Sequence, residues 1–440
     1  MSLFVAKCVS LFVAYSGFHR RESKKSAMPT VYVLGAGASH GYDQSPTGVR
    51  PPLAAGLFEA YGSLEISGDL LVKVGWIVNY VRDRFDVPVE KFATFRLDAE
   101  EFMTGVEDEV REFLDRFAHK RDELPPDEIL RGFEATAAYD QTLFLFTHIL
   151  NEIGNGPTSN LYTQLVHRFD VDDTIITFNW DTLLDRALNE SSTWQCDDGY
   201  HVRFSSIFDD GWRLPERPRK NIPMLLKLHG STNWLTRYVS WDMRSGRRAM
   251  HVSDPKTVIL SFSVATDRSV DDVLERGYPL YKPSMRQTHG KVVPIEHGML
   301  RPLCFVRGTR PFPTFDARFR AGYEPFTYFY SPLDPNDEVP TSPLIVAPVK
   351  NKAYDDFAEV LEPIWDEAAR RIAEASHIRV IGFSFPRTDV RARRLFTPVG
   401  HKRTVEVIDP HPQRAASVLR ELTGTDVAVT CSTLSELVRS

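Results

Sequence analysis

Val31-Tyr-Val-Leu-Gly-Ala-Gly-Ala-Ser39 is a short β-branched and aromatic run that stops at a pair of glycines. The apolar part reads as a parallel strand buried on both faces, and Gly35-Ala36-Gly37 as a tight turn into a helix. A strand that ends this way places backbone N–H groups beside a phosphate, and glycines let a pyrophosphate approach with no Cβ in the way. The same turn also serves simply to close a βα unit. A full G-x-G-x-x-G is not present, because Ser39, His40 and Gly41 follow the turn, and that argues against an ordinary dehydrogenase.

Similar runs recur along the chain. Thr174–Phe178 (TIITF), Leu225–Leu228, Val258–Phe262, Leu344–Ala347, Ile378–Phe383 and Val405–Ile408 all read as strands, and Val427–Thr430 as a last short one. Helical patterns follow several of them, such as Asp181–Leu188 after TIITF and Pro412–Thr423 after VEVID. Strand–helix alternation of this kind predicts an α/β fold, a Rossmann-like parallel sheet covered on both faces.

Two segments interrupt the alternation. Residues from about 64 to 169 read as an inserted helical subdomain. Within it Phe102, Val106, Val110, Phe113 and Phe117 form one stripe, and a second helix is expected over Asp140–Ile153. Residues from about 236 to 342 are rich in Pro, Arg and aromatics with weak periodicity, and they read as an irregular insertion, a lid or an assembly surface. Asp355–Ala375 is a clear amphipathic helix with Pro363 inside it, where a kink or restart is expected. At the N-terminus, Leu3–Tyr15 is apolar but interrupted by Lys7, too short to span a bilayer, and without the flanks of a signal peptide. Met28 is therefore expected to be the natural start. Residues 1–28 are read as an extension outside the fold, and 29–440 as one nucleotide-binding domain.

Composition narrows the function classes. The 440 residues are 42% hydrophobic and 25% charged, with a formal net charge of −6, so the basic surplus of a nucleic-acid binder is missing. Arg391, Arg393, Arg394, Lys402 and Arg403 form a local basic cluster that reads as a solvated helix face and loop. Four cysteines, Cys8, Cys196, Cys304 and Cys431, lie far apart with no C-x-x-C pair, so neither a zinc ribbon nor a disulfide framework is expected. That usage fits a reducing cytoplasm. No membrane association, direct nucleic-acid contact or metal is expected.

Chemistry-bearing residues gather at the predicted strand ends, where open α/β sheets bind ligands. T-F-N-W-D supplies Asn179 and Asp181, though Asp181 or Thr182 equally suits a helix cap. K-L-H-G-S-T-N-W supplies His229, a group that exchanges protons near neutral pH, followed by a turn at Gly230 and Ser231. V-I-G-F-S-F-P supplies Gly382 and Ser384, with Thr388 or Asp389 as a helix cap. V-I-D-P-H-P supplies Asp409, which suits a ribose hydroxyl or a cap.

Taken in order, the glycine turn, N-x-D, H-G, G-x-S and strand-end acid resemble the sirtuin family. The resemblance implies a sirtuin-like fold that binds NAD. It places Gly35, Ala36, Gly37 and Ser39 at the pyrophosphate, and Asn179 and Asp181 by the nicotinamide ribose and carboxamide. It makes His229 the general base and puts Gly382, Ser384 and Asp409 along the cofactor's other half. The four-cysteine zinc ribbon of protein-deacylating sirtuins is missing, and Gly48-Val-Arg-Pro-Pro-Leu53 replaces their G-I-P-D-F-R. The helical insertion and the phrases KLHGSTNW and IGFSFPRTD are instead similar to prokaryotic sirtuin-like proteins of antiphage defence. That likeness implies an NAD hydrolase, with NAD as substrate and nicotinamide and ADP-ribose as products. It also implies a homo-oligomer and a partner such as a DNA-translocating ATPase or an Argonaute. A protein deacylase, and a regulatory module that binds NAD or ADP-ribose without turnover, are the alternatives.

Overall fold

The computed structural model describes residues 29–64, 75–120, 123–154, 156–191, 194–204, 206–208, 212–216, 222–237, 239–242, 247–250, 258–261, 285–288, 291–294, 327–330, 338–350, 352, 354–397 and 403–439. The N-terminal extension and most of the expected 236–342 insertion lie outside the described residues.

Six strands form the central sheet: β1 (Thr30–Leu34), β2 (Thr174–Thr177), β3 (Met224–Lys227), β4 (His377–Ile381), β5 (Thr404–Ile408) and β6 (Val427–Thr430). Their spatial order is β6-β5-β4-β1-β2-β3, with every neighbouring pair parallel. Read from the other edge this is 3-2-1-4-5-6, the Rossmann order. Val33 pairs with Val380 on one side and Ile176 on the other, so β1 lies at the centre. All four residues of β2, and Val31–Leu34 of β1, are buried rather than alternating. Helices cover such strands on both faces, which is why the sequence shows continuous apolar runs there.

The main core joins these strands to helices that include α7 (Leu183–Glu190), α8 (Ala358–Glu374), α10 (Gln413–Thr423) and α11 (Leu434–Arg439). The helix carrying Pro363 runs through that residue. Its break falls earlier, where a 3₁₀ turn at Tyr354–Phe357 gives way to α8. The Trp365 indole N–H donates to the Leu228 carbonyl at 3.1 Å and pins α8 over the end of β3.

Between β1 and β2 the chain is helical: α1 (Ala36–Ser39), α2 (Leu57–Ser63), α3 (Gly75–Phe85), α4 (Ala99–Lys120), α5 (Pro126–Gly154) and α6 (Asn160–Val166). Of these, α2 to α5 bury a second core of their own, in which Phe58 meets Phe95, Phe102 and Phe146 edge to face. Asp98 starts α4 by accepting the Glu100 N–H, and the buried stripe then runs from Phe102 to Leu114. The second long helix begins well before Asp140, because Pro126 and the acidic pair Asp127–Glu128 suit a helix start.

Val258–Ser261 and Leu344 do not join the parallel sheet. They belong to a second, mostly antiparallel sheet ordered Thr327–Tyr330, Glu338–Ile345, Gly230–Arg237, Val258–Ser261, Ser206–Phe208, Trp212–Arg213. The chain enters it directly from β3. Leu228 and His229 make the turn, and Gly230 starts the new strand at φ +77°, where an added Cβ would lie 1.9 Å from the Leu344 carbonyl oxygen. The turn expected at Gly230–Ser231 is thus a strand start, and only glycine fits there.

Candidate functional site

The strand order reverses between β1 and β4, and in open α/β sheets the crevice beyond the strand C-termini at that point is the ligand site. Both strands end there in glycine turns. The Gly35 N–H donates to the Ile381 carbonyl at 3.1 Å and the Gly37 N–H to the Gly382 carbonyl at 3.0 Å. A Cβ on Gly35 would lie 2.5 Å from the Gly382 carbonyl oxygen, and one on Gly382, at φ +61°, 2.5 Å from the Ala38 nitrogen. The space left by these missing side chains is therefore filled first by the opposing turn. Passage of the two turns in contact is the immediate reason for glycine, a different one from pyrophosphate approach.

Ser39 is the hub of the β1 side. Its hydroxyl donates to Asp181 Oδ2 at 2.8 Å, accepts from Asn179 Nδ2 at 2.9 Å and lies 2.9 Å from the Tyr162 hydroxyl. Asn179 Nδ2 also donates to the Gly35 carbonyl at 2.9 Å. Both amide hydrogens of Asn179 are thus spoken for, and its Oδ1 is left as an acceptor without a partner among the described residues. The Asn179 side chain is locked onto the glycine turn.

Asp181 is half-buried. One carboxylate oxygen takes the Ser39 hydroxyl and the other accepts the Leu183 N–H at 3.1 Å, in the manner of a helix cap. Burial raises its carboxyl above the ordinary value, and the Lys227 charge opposes that shift. Two donors of its own fold thus fix the Asp181 carboxylate, one on each oxygen. Lys227, at the end of β3, donates to the Asp181 carbonyl at 2.5 Å and pairs with Asp185 Oδ2 at 3.1 Å, fully buried.

His229 follows β3 by two residues, as Asn179 follows β2, and the two strands pair Thr177 with Lys227. Phe178 stands beside both. Its ring centre is 5.1 Å from that of His229, and it stacks on Phe383 at 4.2 Å, so it ties the imidazole to the Gly382 turn. The imidazole Nε2 lies 2.9 Å from Asp389 Oδ2 and 3.2 Å from the Tyr354 hydroxyl, which itself donates to Asp389 Oδ1 at 3.1 Å. Burial pushes His229 below its ordinary 6.5, against the raising effect of Asp389. Burial alone would raise the Asp389 carboxyl, but the His229 hydrogen bond and the nearby positive charge bring it down to about 2. At neutral pH the pair is a neutral imidazole on an ionised carboxylate.

Gly35, Ala36, Gly37, Ser39, Asn179, Asp181 and Gly382 therefore form one contiguous cluster, with His229 joined to it through Phe178. Ser384 is exposed just beyond the Gly382 turn. Asp409 lies at the end of β5, further along the same edge, where its Oδ1 accepts the His411 N–H at 2.7 Å. Asp389 and Tyr354 were not expected at the site. The first read only as a helix cap, and nothing in the sequence around Tyr354 marks it. Among the described residues no group of His, Cys, Asp or Glu is placed to hold a metal ion, and no helix is long and apolar enough to cross a membrane.

No family model matches this chain, and no curated protein matches it. Among solved structures it aligns with a serine-to-alanine mutant of a Sir2 homologue in complex with ADP-ribose, at a TM-score of 0.34 and 11% identity, covering 93% of this chain and 88% of that one. It also aligns with a structure described under the mechanism and regulation of Sir2 enzymes, at a TM-score of 0.29 and 12% identity, covering 76% and 96%.

Proposed function

We propose that this chain binds NAD at the β1–β4 crevice and hydrolyses its nicotinamide–ribose bond, releasing nicotinamide and ADP-ribose. The observation that carries the reading is the placement of Asn179 and His229 on adjacent strand ends beside the reversal point of a 3-2-1-4-5-6 sheet. A locked amide and a neutral imidazole are costly to assemble at such an edge, and simple nucleotide binding needs neither.

The chemistry follows from the charges. Nicotinamide in NAD is cationic and departs with the bond's electron pair as a neutral molecule, so its departure needs no proton. Water then supplies the oxygen that bonds to the ribose C1′, and its surplus proton needs an acceptor. His229 is the acceptor in this reading, since its lowered basicity keeps it unprotonated at pH 7. Asn179 Oδ1 accepts a hydrogen bond from the ribose or from that water and holds the reacting partners in line. Asp181 supports the arrangement from behind by holding Ser39. Gly382, Ser384 and Asp409 extend the edge toward the adenosine half.

The proposed setting is antiphage defence by NAD depletion, as an oligomer acting with a partner of the DNA-translocating ATPase or Argonaute kind. Its support is the likeness of KLHGSTNW and IGFSFPRTD noted above. The biochemical test is incubation of the purified chain with NAD, with and without an acetyl-lysine peptide. Free nicotinamide and ADP-ribose without peptide is the expected result. Release only with peptide assigns a deacylase, and NAD binding with no release assigns a regulatory module.

A further inference from the structure

His229 sits in a built box. Phe178 faces its ring from just past β2 at 5.1 Å, Trp365 from α8 at 6.4 Å and Tyr354 from the preceding turn at 6.0 Å. Trp365 is fixed by its bond to the Leu228 carbonyl, and the Arg391 guanidinium covers both Trp365 and Tyr354 at 4.4 and 5.0 Å. The remaining wall is Asp389, 2% exposed, at the start of the short helix α9 (Val390–Arg394). Asp389 Oδ1 caps that helix by accepting the Ala392 N–H at 3.0 Å. Capping needs one oxygen. The other is directed at His229 Nε2, 2.9 Å away, and capping does not explain it.

A carboxylate only accepts, so this contact requires the hydrogen to be on Nε2. Nδ1 is then bare, and it has no hydrogen-bond partner among the described residues. The arrangement is the imidazole–carboxylate pair that catalytic triads use to fix a tautomer. We propose that Asp389 is a positioning residue: it holds His229 as the Nε2–H tautomer and leaves Nδ1 as the proton acceptor, with Tyr354 steadying the carboxylate. This rests on the reading of His229 as the general base.

The other charged group acting on the imidazole is Lys352, whose Nζ lies 3.7 Å from Glu100 Oε2. Glu100, in the first turn of α4, also accepts the Thr388 hydroxyl at 3.0 Å, next to Asp389. The helical segment between β1 and β2 thus touches the same turn that carries the positioning carboxylate.

The test is D389N in the full chain. Asparagine keeps the capping oxygen but turns an N–H₂ toward Nε2, which forces the hydrogen onto Nδ1. Selective ¹⁵N-histidine NMR, with the resonance assigned by its loss in H229A, is expected to show Nε2–H in the wild type and Nδ1–H in D389N. The NAD cleavage kcat is expected to fall about 10²- to 10⁴-fold with little change in KM, at an unchanged melting temperature. Because Asp389 raises the His229 pKa, residual activity in D389N should lose its acid limb at a lower pH than wild type. An Nδ1–H tautomer in the wild type, or a D389N enzyme with wild-type kcat and pH profile, overturns the proposal. The two readings separate cleanly. H229A with full activity, or a wild type that does not cleave NAD, overturns the general-base reading alone, while the tautomer comparison still decides the role of Asp389.

Discussion

Asn179 Nδ2 donates to Ser39 Oγ at 2.9 Å, which joins the end of β2 to the first turn after β1 through two side chains. The same nitrogen reaches the Gly35 carbonyl, and the same hydroxyl reaches Asp181, so one serine orders the amide, the glycine turn and the start of α7 together.

Ser39→Ala should therefore be costly out of proportion to the atom removed. It leaves the half-buried Asp181 carboxylate without one of its donors and Asn179 with one unmet hydrogen. The expected loss is about 1–3 kcal/mol of stability, read from urea unfolding, together with a lower kcat. An S39A protein as stable and active as wild type removes the hub from the account.

Gly382→Ala tests the contact between the two turns. At φ +61° alanine is strained, and its Cβ would press on the Ala38 nitrogen and the Gly37 backbone. Roughly 1–3 kcal/mol of strain is expected, with weakened NAD binding by calorimetry because the β1 turn must shift. Gly424→Ala, also at positive φ but with open space around it, is the control: it should destabilise without altering NAD affinity.

The Lys227–Asp185 pair makes a separate prediction about stability. Both groups are buried, and the Tyr200 hydroxyl also donates to Asp185 at 2.5 Å. Lys227→Met strands a buried carboxylate and should cost about 3–5 kcal/mol. The double change Lys227→Met with Asp185→Leu should recover much of it. Equal stability of the single and double variants in chemical denaturation would contradict the buried pairing.

The state of His229 fixes the pH response. Its folded pKa lies below 6.5, so protons bind more readily to this residue in the unfolded chain. Its contribution to stability is complete above that pH and declines as the pH falls below it. Activity should decline on the same side, since the protonated imidazole accepts nothing. A kcat/KM profile with no acid limb at any pH where the protein remains folded counts against this imidazole as the base.

The parallel sheet was legible because its strands are short β-branched runs with no polar alternation, such as Thr174–Thr177, which two covering faces require. Apolar runs do not announce their pairing direction, and so Val258–Ser261 and Leu344 looked like further parallel strands although they pair antiparallel around Gly230–Arg237. At the site, residue type at strand ends pointed to Asn179 and His229. It did not reveal that Asp181 is held by Ser39 and the Leu183 N–H, since a carboxylate that caps and one that contacts a ligand look alike in sequence. Asp389 was hidden for the same reason: its capping bond is local and readable, whereas its bond to His229 joins distant parts of the chain. The glycines show a related limit. Sequence records a missing Cβ, and only the fold shows that the Gly382 turn occupies its place.

The most direct test compares nicotinamide release from NAD by the wild type with that by Asn179→Ala and His229→Ala, each checked for an unchanged melting temperature. ADP-ribose and nicotinamide in equal amounts are expected from the wild type, with a fall of about 10²-fold or more in kcat for each variant. Cleavage by His229→Ala at the wild-type rate would contradict His229 as the base.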